Sequence, residues 1–284
     1  MSLLVFGRTG QVAVELARRA PDAVFLGRLE ADLGDPEACA RAIRTHLPAA
    51  VINAAAYTAV DRAEEEEALA TRINGIAPGV MAQTCAALRV PLVHLSTDYV
   101  FDGGGAAPWR PDDRPSPLNA YGRSKLAGER AIAGAGGAHA IVRTSWVFSA
   151  HGGNFVRTML RLSATRDALS IVKDQFGGPT PAADIAAACL TIADQLVQNP
   201  EKTGVYHYAG APEVSWSIFA EAIFAMAGRD VAVSGIPSAD YPTAATRPLN
   251  SKLDCSTTQS VFGLLRPDWR VGLRDILTEL GETT

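Results

Sequence analysis

The sequence predicts an α/β protein, a doubly wound parallel sheet from which a smaller C-terminal lobe grows. Three observations predict it. Short, wholly apolar runs alternate with helical patterns over roughly the first 150 residues, as strands buried on both faces of a parallel sheet require. A glycine turn follows the first apolar run and opens the first helix. Later runs end in small or hydroxyl-bearing residues, where the carboxyl edge of such a sheet faces a ligand crevice.

Residues 3–6 (Leu-Leu-Val-Phe) form the first strand. Gly7-Arg8-Thr9-Gly10-Gln11-Val12-Ala13 follows, then a helical pattern to Ala20. Strand, glycine turn and helix in that order make a Rossmann-type dinucleotide site: Gly7 and Gly10 let the backbone approach a pyrophosphate, and the helix N-terminus favours its charge. The third position of the usual fingerprint is Ala13, small enough for close helix–strand packing. Residues 23–26 are the second strand. An NAD-preferring site would place an acidic residue near its end, but Gly27-Arg28 stands there and Arg8 lies in the turn. Two guanidinium groups suit a 2′-phosphate and favour NADPH, while Glu30 and Asp32 keep NADH open.

Residues 36–46 read as a helix with Pro36 in its first turn. Residues 50–52 make the third strand, leading into Asn53-Ala54-Ala55-Ala56, small residues against which a cofactor can lie. The acidic stretch 61–67 reads as a solvated helix start, and 71–89 as one long helix. Strand 92–95 runs into Ser96-Thr97-Asp98-Tyr99, whose hydroxyls belong at the ligand edge. Beyond a Gly/Pro-rich loop at 103–117 comes the helix carrying Tyr121. The pattern continues with a strand from 141, helix 155–162, strand 169–172, a break at 174–180, helix 182–197, strand 205–208, a helix capped by Ser215, and a last helix at 271–280. Residues 1–150 read as the dinucleotide-binding region and 151–284 mainly as a substrate lobe, with room for the chain to weave between them.

Composition narrows the function classes. The chain has 284 residues, 48% hydrophobic and 20% charged, with net charge −4 and scattered basic residues. That argues against nucleic acid or an anionic membrane surface as partner. No apolar run reaches the roughly 18 residues of a membrane helix, and the apolar start lacks the basic leader of a signal peptide. Cys39, Cys85, Cys189 and Cys255 have no metal-ligand spacing and are expected to stay reduced, as in a cytoplasmic protein.

The chemistry centres on Asn119-Ala120-Tyr121-Gly122-Arg123-Ser124-Lys125. Spacing of i and i+4 puts the Tyr121 phenol and the Lys125 ammonium on one helix face. A fixed positive charge beside a phenol lowers its pKa, so the pair can act as a general acid–base nearer neutral pH. A surface Tyr and Lys on an ordinary helix is the plain alternative. The glycine turn and the strand-end Thr97 weigh against it.

Together the glycine turn, the Asn-Ala-Ala-Ala strand end, Ser-Thr-Asp-Tyr-Val-Phe at 96–101 and Tyr-x-x-x-Lys resemble the extended short-chain dehydrogenase/reductase superfamily. Longer segments at 53–61, 116–122, 143–147, 154–160, 174–177 and 247–251 are similar to its dTDP-4-dehydrorhamnose reductase family. The resemblance implies NAD(P)H-dependent reduction of the C4 ketone of dTDP-4-dehydro-β-L-rhamnose to dTDP-β-L-rhamnose, for surface polysaccharide. Tyr121 would supply the proton, Lys125 would hold the nicotinamide ribose, and Thr97 would hydrogen-bond the reacting carbonyl. By the same resemblance Gly10, Gln11 and Val12 face the pyrophosphate, Asp32 and Leu33 flank the adenine, and Ala55, Ala56 and Tyr57 line the cofactor. Asp98, Trp146, Asn154 and Arg247 would contact the sugar nucleotide. It also implies a homodimer around Mg²⁺ held by Glu15, Asp184 and Glu279, although Asp184 is one carbon shorter than the family's Glu; three unrelated surface carboxylates are the simpler reading. Another nucleotide-sugar reductase or epimerase, or a non-catalytic NADP-binding regulatory homologue, stands as the alternative.

Overall fold

In the computed structural model, which describes residues 2–282, Leu3–Phe6 forms β1 because four apolar residues can fill both faces of a sheet at once. Leu3 and Val5 enter one core, and Leu4 and Phe6 the opposite one. The glycine turn leads to α1 (Gln11–Arg19), then β2 (Val24–Leu26), α2 (Pro36–His46) and β3 (Ala50–Asn53). Next come α3 (Glu67–Thr71), a π-helical turn at Arg72–Ile76, α4 (Ala77–Leu88), β4 (Leu92–Thr97), α5 (Ala120–Gly134) and β5 (His139–Thr144).

Past residue 150 the chain weaves between lobe and sheet. After β6 (Val147–Phe148), α6 (Phe155–Ser163), β7 (Ala168–Val172), β8 (Phe176–Gly177) and β9 (Thr180–Pro181), α7 (Ala182–Gln198) packs on the sheet and β10 (Gly204–His207) joins it. The order β10-β5-β4-β3-β1-β2 is parallel throughout. The chain then returns to the lobe through β11 (Val214–Ser215), α8 (Trp216–Met226), β12 (Ala232–Ile236) and β13 (Asn250–Ser251), sends α9 (Ser256–Phe262) back against α7 and β10, and ends in α10 (Trp269–Glu279) in the lobe.

Three cores hold this arrangement. Val12 and Leu16 of α1 and Ile185, Cys189 and Ile192 of α7 cover one sheet face. Ile43 of α2, Met81 and Cys85 of α4 and Ile132 of α5 cover the other. The lobe packs Met159, Phe219, Ile223, Trp269 and Leu273 around Phe148. All four cysteines are buried thiols, and burial pushes those of Cys39, Cys85 and Cys189 up to about 12. No helix among the described residues is long and apolar enough to cross a membrane.

Several elements differ from the sequence reading. The helix expected at 71–89 is three pieces, with the π turn at its centre where Asn74-Gly75 interrupts helix-forming residues. The last helix starts at Trp269 because the Asp268 carboxylate caps the Arg270 amide at 2.9 Å. Strand β12 and helix α9 were not anticipated. Ala-Val-Ser-Gly-Ile and Ser-Thr-Thr-Gln-Ser-Val-Phe have little periodicity and weak intrinsic propensity, so tertiary contacts decide them.

Candidate active site

The site begins where β4 ends. The Thr97 hydroxyl accepts the Tyr99 amide (3.2 Å) and donates to Asp98 Oδ1 (3.1 Å), turning the chain into a 3₁₀ turn at Asp98–Val100. Opposite stands the start of α5. Asn119 Oδ1 accepts the Gly122 amide at 2.8 Å, and the Glu64 carboxylate accepts the Ala120 amide at 2.8 Å. Two orphan donors of the helix are thereby satisfied. The acidic stretch before α3 is therefore not merely solvated. Glu64 binds the end of α5, Glu66 accepts the Tyr57 hydroxyl at 2.5 Å, and Glu67 pairs with Arg123 at 2.7 Å. The helix start carries positive partial charge and draws carboxylates to it.

Gly122 brings the two elements together. A Cβ built there would sit 2.1 Å from the Tyr99 carbonyl oxygen. With only hydrogen present, α5 lies directly on the turn, and the Tyr121 phenol sits beside the Thr97 hydroxyl. The Tyr99 ring meets the Tyr121 ring edge-on at 5.7 Å. Gly122→Ala should force this contact apart, costing about 1–3 kcal/mol of stability, the usual range for overpacking. It should also lower turnover at least tenfold, since misplacement by ~1 Å can cost ~100-fold. Steady-state kinetics beside a thermal melt checks this; unchanged turnover in a folded variant contradicts it.

The electrostatics correct one expectation. Burial pushes the Tyr121 phenol up to about 12, only partly offset by the Thr97 hydroxyl, rather than Lys125 drawing it down. The reason is where Lys125 points. Its Nζ donates to the Leu95 carbonyl at 2.7 Å and meets His94 Nε2 at 3.1 Å, deep beneath the site. Burial lowers Lys125 itself to about 8, against a smaller opposing pull from Glu129. Burial also raises the Asp98 carboxyl to about 6, and its Oδ2 has no hydrogen-bond partner among the described residues. One helical turn beyond Lys125, Glu129 forms a buried ion pair with Arg143 at 2.7 Å and accepts the Ser96 hydroxyl at 2.5 Å.

The neighbouring crevice fits a dinucleotide. Gly7 has φ +119°, open to glycine, and a Cβ there would press on Ala13 and the Ala54 backbone at 3.3 Å. Gly10 caps α1 with no side chain reaching its amides, and nothing lies within 4 Å of where its Cβ would be. Those unsatisfied N–H groups and the helix dipole suit a pyrophosphate. Gln11 and Val12 open that helix, with Val12 buried. Arg28 is exposed beyond β2, whereas Arg8 pairs with Glu30 at 2.9 Å. Asp32 caps the Gly34 amide at 2.8 Å, and Leu33 is buried against the core under β1 and β2. Ala55 and Ala56 follow β3, and Tyr57 is held by Asn74, which accepts its amide at 2.8 Å and donates to its carbonyl at 2.9 Å. Asn74 also donates to Ser124 at 3.0 Å, so the π turn ties the cofactor side to α5. The Asn-Gly pair was its only sequence signal.

On the lobe side, Trp146 has φ 49°, an uncommon conformation for a bulky residue, and stacks on Trp216 with centroids 3.5 Å apart. Trp216 was not singled out from the sequence; Gln175 accepts its indole N–H at 3.2 Å. Asn154 caps α6 and donates to Gln11 Oε1 at 3.0 Å, so it meets the glycine turn. Arg247 pairs with Asp61 at 2.6 Å, on the side of Tyr99.

The three expected carboxylates, Glu15, Asp184 and Glu279, line one surface crevice. Glu15 and Glu279 come together with His151, ligand atoms within 4.8 Å of one another, and Asp184 is not in that group. Arg18 and Arg19 already engage both carboxylates, at 2.6 Å in the closest pairs. One imidazole and two neutralised carboxylates do not make the oxygen octahedron that Mg²⁺ demands.

Comparisons with known proteins fit this geometry. The family described as RmlD substrate binding domain matches residues 1–282. A dTDP-4-dehydrorhamnose reductase from Burkholderia thailandensis is 46% identical, covering 98% of this chain and 100% of the relative. The chain belongs to the dTDP-4-dehydrorhamnose reductase family. Among solved structures of that family name, the enzyme from Clostridium acetobutylicum superposes with TM-score 0.92 at 32% identity, covering 99% of this chain and all of the other. The enzyme from Bacillus anthracis, solved in complex with NADP, superposes with TM-score 0.91 at 32% identity, covering 98% and 100%. The reductase family's fold is thus present from end to end.

Proposed function

We infer that this chain is an oxidoreductase that reduces the C4 ketone of dTDP-4-dehydro-β-L-rhamnose with a nicotinamide cofactor, giving dTDP-β-L-rhamnose. The convergence of Thr97, Tyr121 and Lys125 at the carboxyl edge of β4, within a full-length family match, carries this reading. A nicotinamide cofactor held there would supply the hydride for the ketone carbon. Gly7, Gly10, Gln11 and Val12 would hold its pyrophosphate at the α1 N-terminus, Ala55, Ala56 and Tyr57 would wall it, and Lys125 would hold its nicotinamide ribose. Tyr121 gives its phenolic proton to the oxygen as charge develops, and Thr97 donates a hydrogen bond to the same oxygen. A phenol near 12 stays protonated at working pH and is suited to act as the acid. Trp146 would pack on the sugar, with Asp98 as a polar contact and Arg247 facing the diphosphate. Asn154, anchored on Gln11 of the glycine turn, would be a further contact to the sugar nucleotide.

NADPH is the favoured cofactor. A family member binds NADP, and Arg28 stands exposed where a 2′-phosphate would lie. Glu30 neutralises Arg8, which leaves Arg28 as the main donor. Arg28→Ala should weaken NADPH about tenfold, in line with the ~1.5–3 kcal/mol of a hydrogen bond to a charged group, and barely change NADH. Equal losses for the two would remove Arg28 from that role. The reading as a whole is tested by following NADPH oxidation with dTDP-4-dehydrorhamnose. Absence of turnover by correctly folded protein that binds NADPH would overturn it.

A further inference from the structure

Lys125 is fully buried, and what it touches can be worked out donor by donor. The chain of contacts starts on the far side of β3. The Ala55 amide can only donate, and it does so to Asn53 Oδ1 at 3.2 Å. That fixes the carboxamide, so Asn53 Nδ2 faces His94 Nδ1 at 3.1 Å. An amide nitrogen is donor only, so Nδ1 must accept. His94 is fully buried beside a lysine, both of which hold it neutral. A neutral imidazole that accepts at Nδ1 carries its hydrogen on Nε2. That N–H points at Lys125 Nζ, 3.1 Å away. An ammonium has three donors and no lone pair, so it would set N–H against N–H. A neutral amine accepts from His94 and still donates to the Leu95 carbonyl at 2.7 Å.

We propose that His94 is a positioning residue for Lys125: locked as its Nε2–H tautomer by Asn53 and the Ala55 amide, it favours the neutral amine of Lys125 in the free protein, and at any pH where that amine has formed, cofactor binding draws one proton from solvent onto Nζ. The proposal rests on Lys125 holding the nicotinamide ribose, whose hydroxyl oxygens accept from an ammonium. Other charged groups around α5 are paired or, like Arg130, turned out to solvent. On α5, Glu129 is paired with Arg143; from the preceding segments Glu64 holds the Ala120 amide and Glu67 holds Arg123. The 3₁₀ turn brings Asp98 and Tyr99, and α5 itself Tyr121. Asp98 lies near 6 and Tyr121 near 12, outside the range in which Lys125 exchanges its proton. Lys125 itself lies near 8.

The sign of the effect follows. Above about pH 8 the free protein has lost the Lys125 proton, and binding must restore it. NADPH affinity should therefore be flat from pH 6.5 to 7.5 or so and fall by roughly tenfold per pH unit above about 8, the slope of one proton taken up. In His94→Gln the side-chain carbonyl can face the ammonium, and the break should move up by about one pH unit while affinity below the break stays within about threefold. The wild type gives a second, independent readout: ¹⁵N chemical shifts of the His94 ring should report Nε2–H and a bare Nδ1 throughout this range. A pH-independent affinity, a break that His94→Gln leaves in place, or an Nδ1–H tautomer would each overturn the proposal. Failure to bind NADPH at any pH would instead defeat the functional reading beneath it.

Discussion

Replacing Tyr121 with phenylalanine is expected to lower turnover on the order of 10²–10⁴-fold, the usual contribution of a positioned general acid. Cofactor affinity should hardly change. The phenyl ring keeps the edge-on contact with Tyr99 at 5.7 Å and the packing against the cluster of Ala63, Ala70 and Ala120; only the hydroxyl is lost. Without it the developing alkoxide has the Thr97 hydroxyl as hydrogen-bond donor but no acid. Stopped-flow measurement of hydride transfer, with NADPH titrated separately by fluorescence, separates the two effects. Turnover within threefold of wild type would remove Tyr121 as the acid.

The second large effect is expected in stability. Arg143 and Glu129 have side chains only 3% and 5% exposed, and the guanidinium forks onto the carboxylate through Nε (3.0 Å) and Nη2 (2.7 Å). Nη1 donates to the Pro111 carbonyl at 3.1 Å, and the group lies 4.9 Å from the Phe101 ring centroid. Glu129→Ala leaves that cation buried without its counter-charge and strands the Ser96 hydroxyl. Removing one partner of such a pair costs about 3–5 kcal/mol. Glu129→Gln keeps the shape and part of the hydrogen bonding, so it should cost less. Urea unfolding of the three proteins checks the order, and a loss below about 1 kcal/mol for Glu129→Ala would show that the pair is not a structural anchor.

How much of this was legible in the sequence depended on whether the signal was local. β1 is a continuous apolar run, β3 and β4 begin as apolar runs, and the turn at Gly7–Gly10 is written in residue types that have one main use, so these could be read directly. Tyr121 and Lys125 were legible because a helix turns a spacing of four into a shared face. The direction in which Lys125 points was not. It depends on His94 and Asn53, which lie 31 and 72 residues away and look like ordinary strand residues. The acidic stretch at 61–67 misled for the same reason: Glu64 and Glu67 have their partners on α5, more than 50 residues on. His151 was not foreseen beside Glu15 and Glu279, since it reaches them from the loop after β6, far away in sequence.

The return of the chain to its own sheet has a consequence for how the protein is made. A ribosome that has synthesised the glycine turn, Thr97, Tyr121 and Lys125 has not yet made α7, β10 or α9. Until they emerge, Leu3, Val5, Ile52 and Val142 lack most of the cover that α7 and Phe262 provide, and the edge of β5 is bare. The nascent chain thus carries its whole acid–base set for some time on a sheet with one face open to water. From Lys125 to the end of α9 at Phe262 another 137 residues (262 − 125) must be made, and through that stage the chain is most exposed to aggregation and to the chaperones that prevent it.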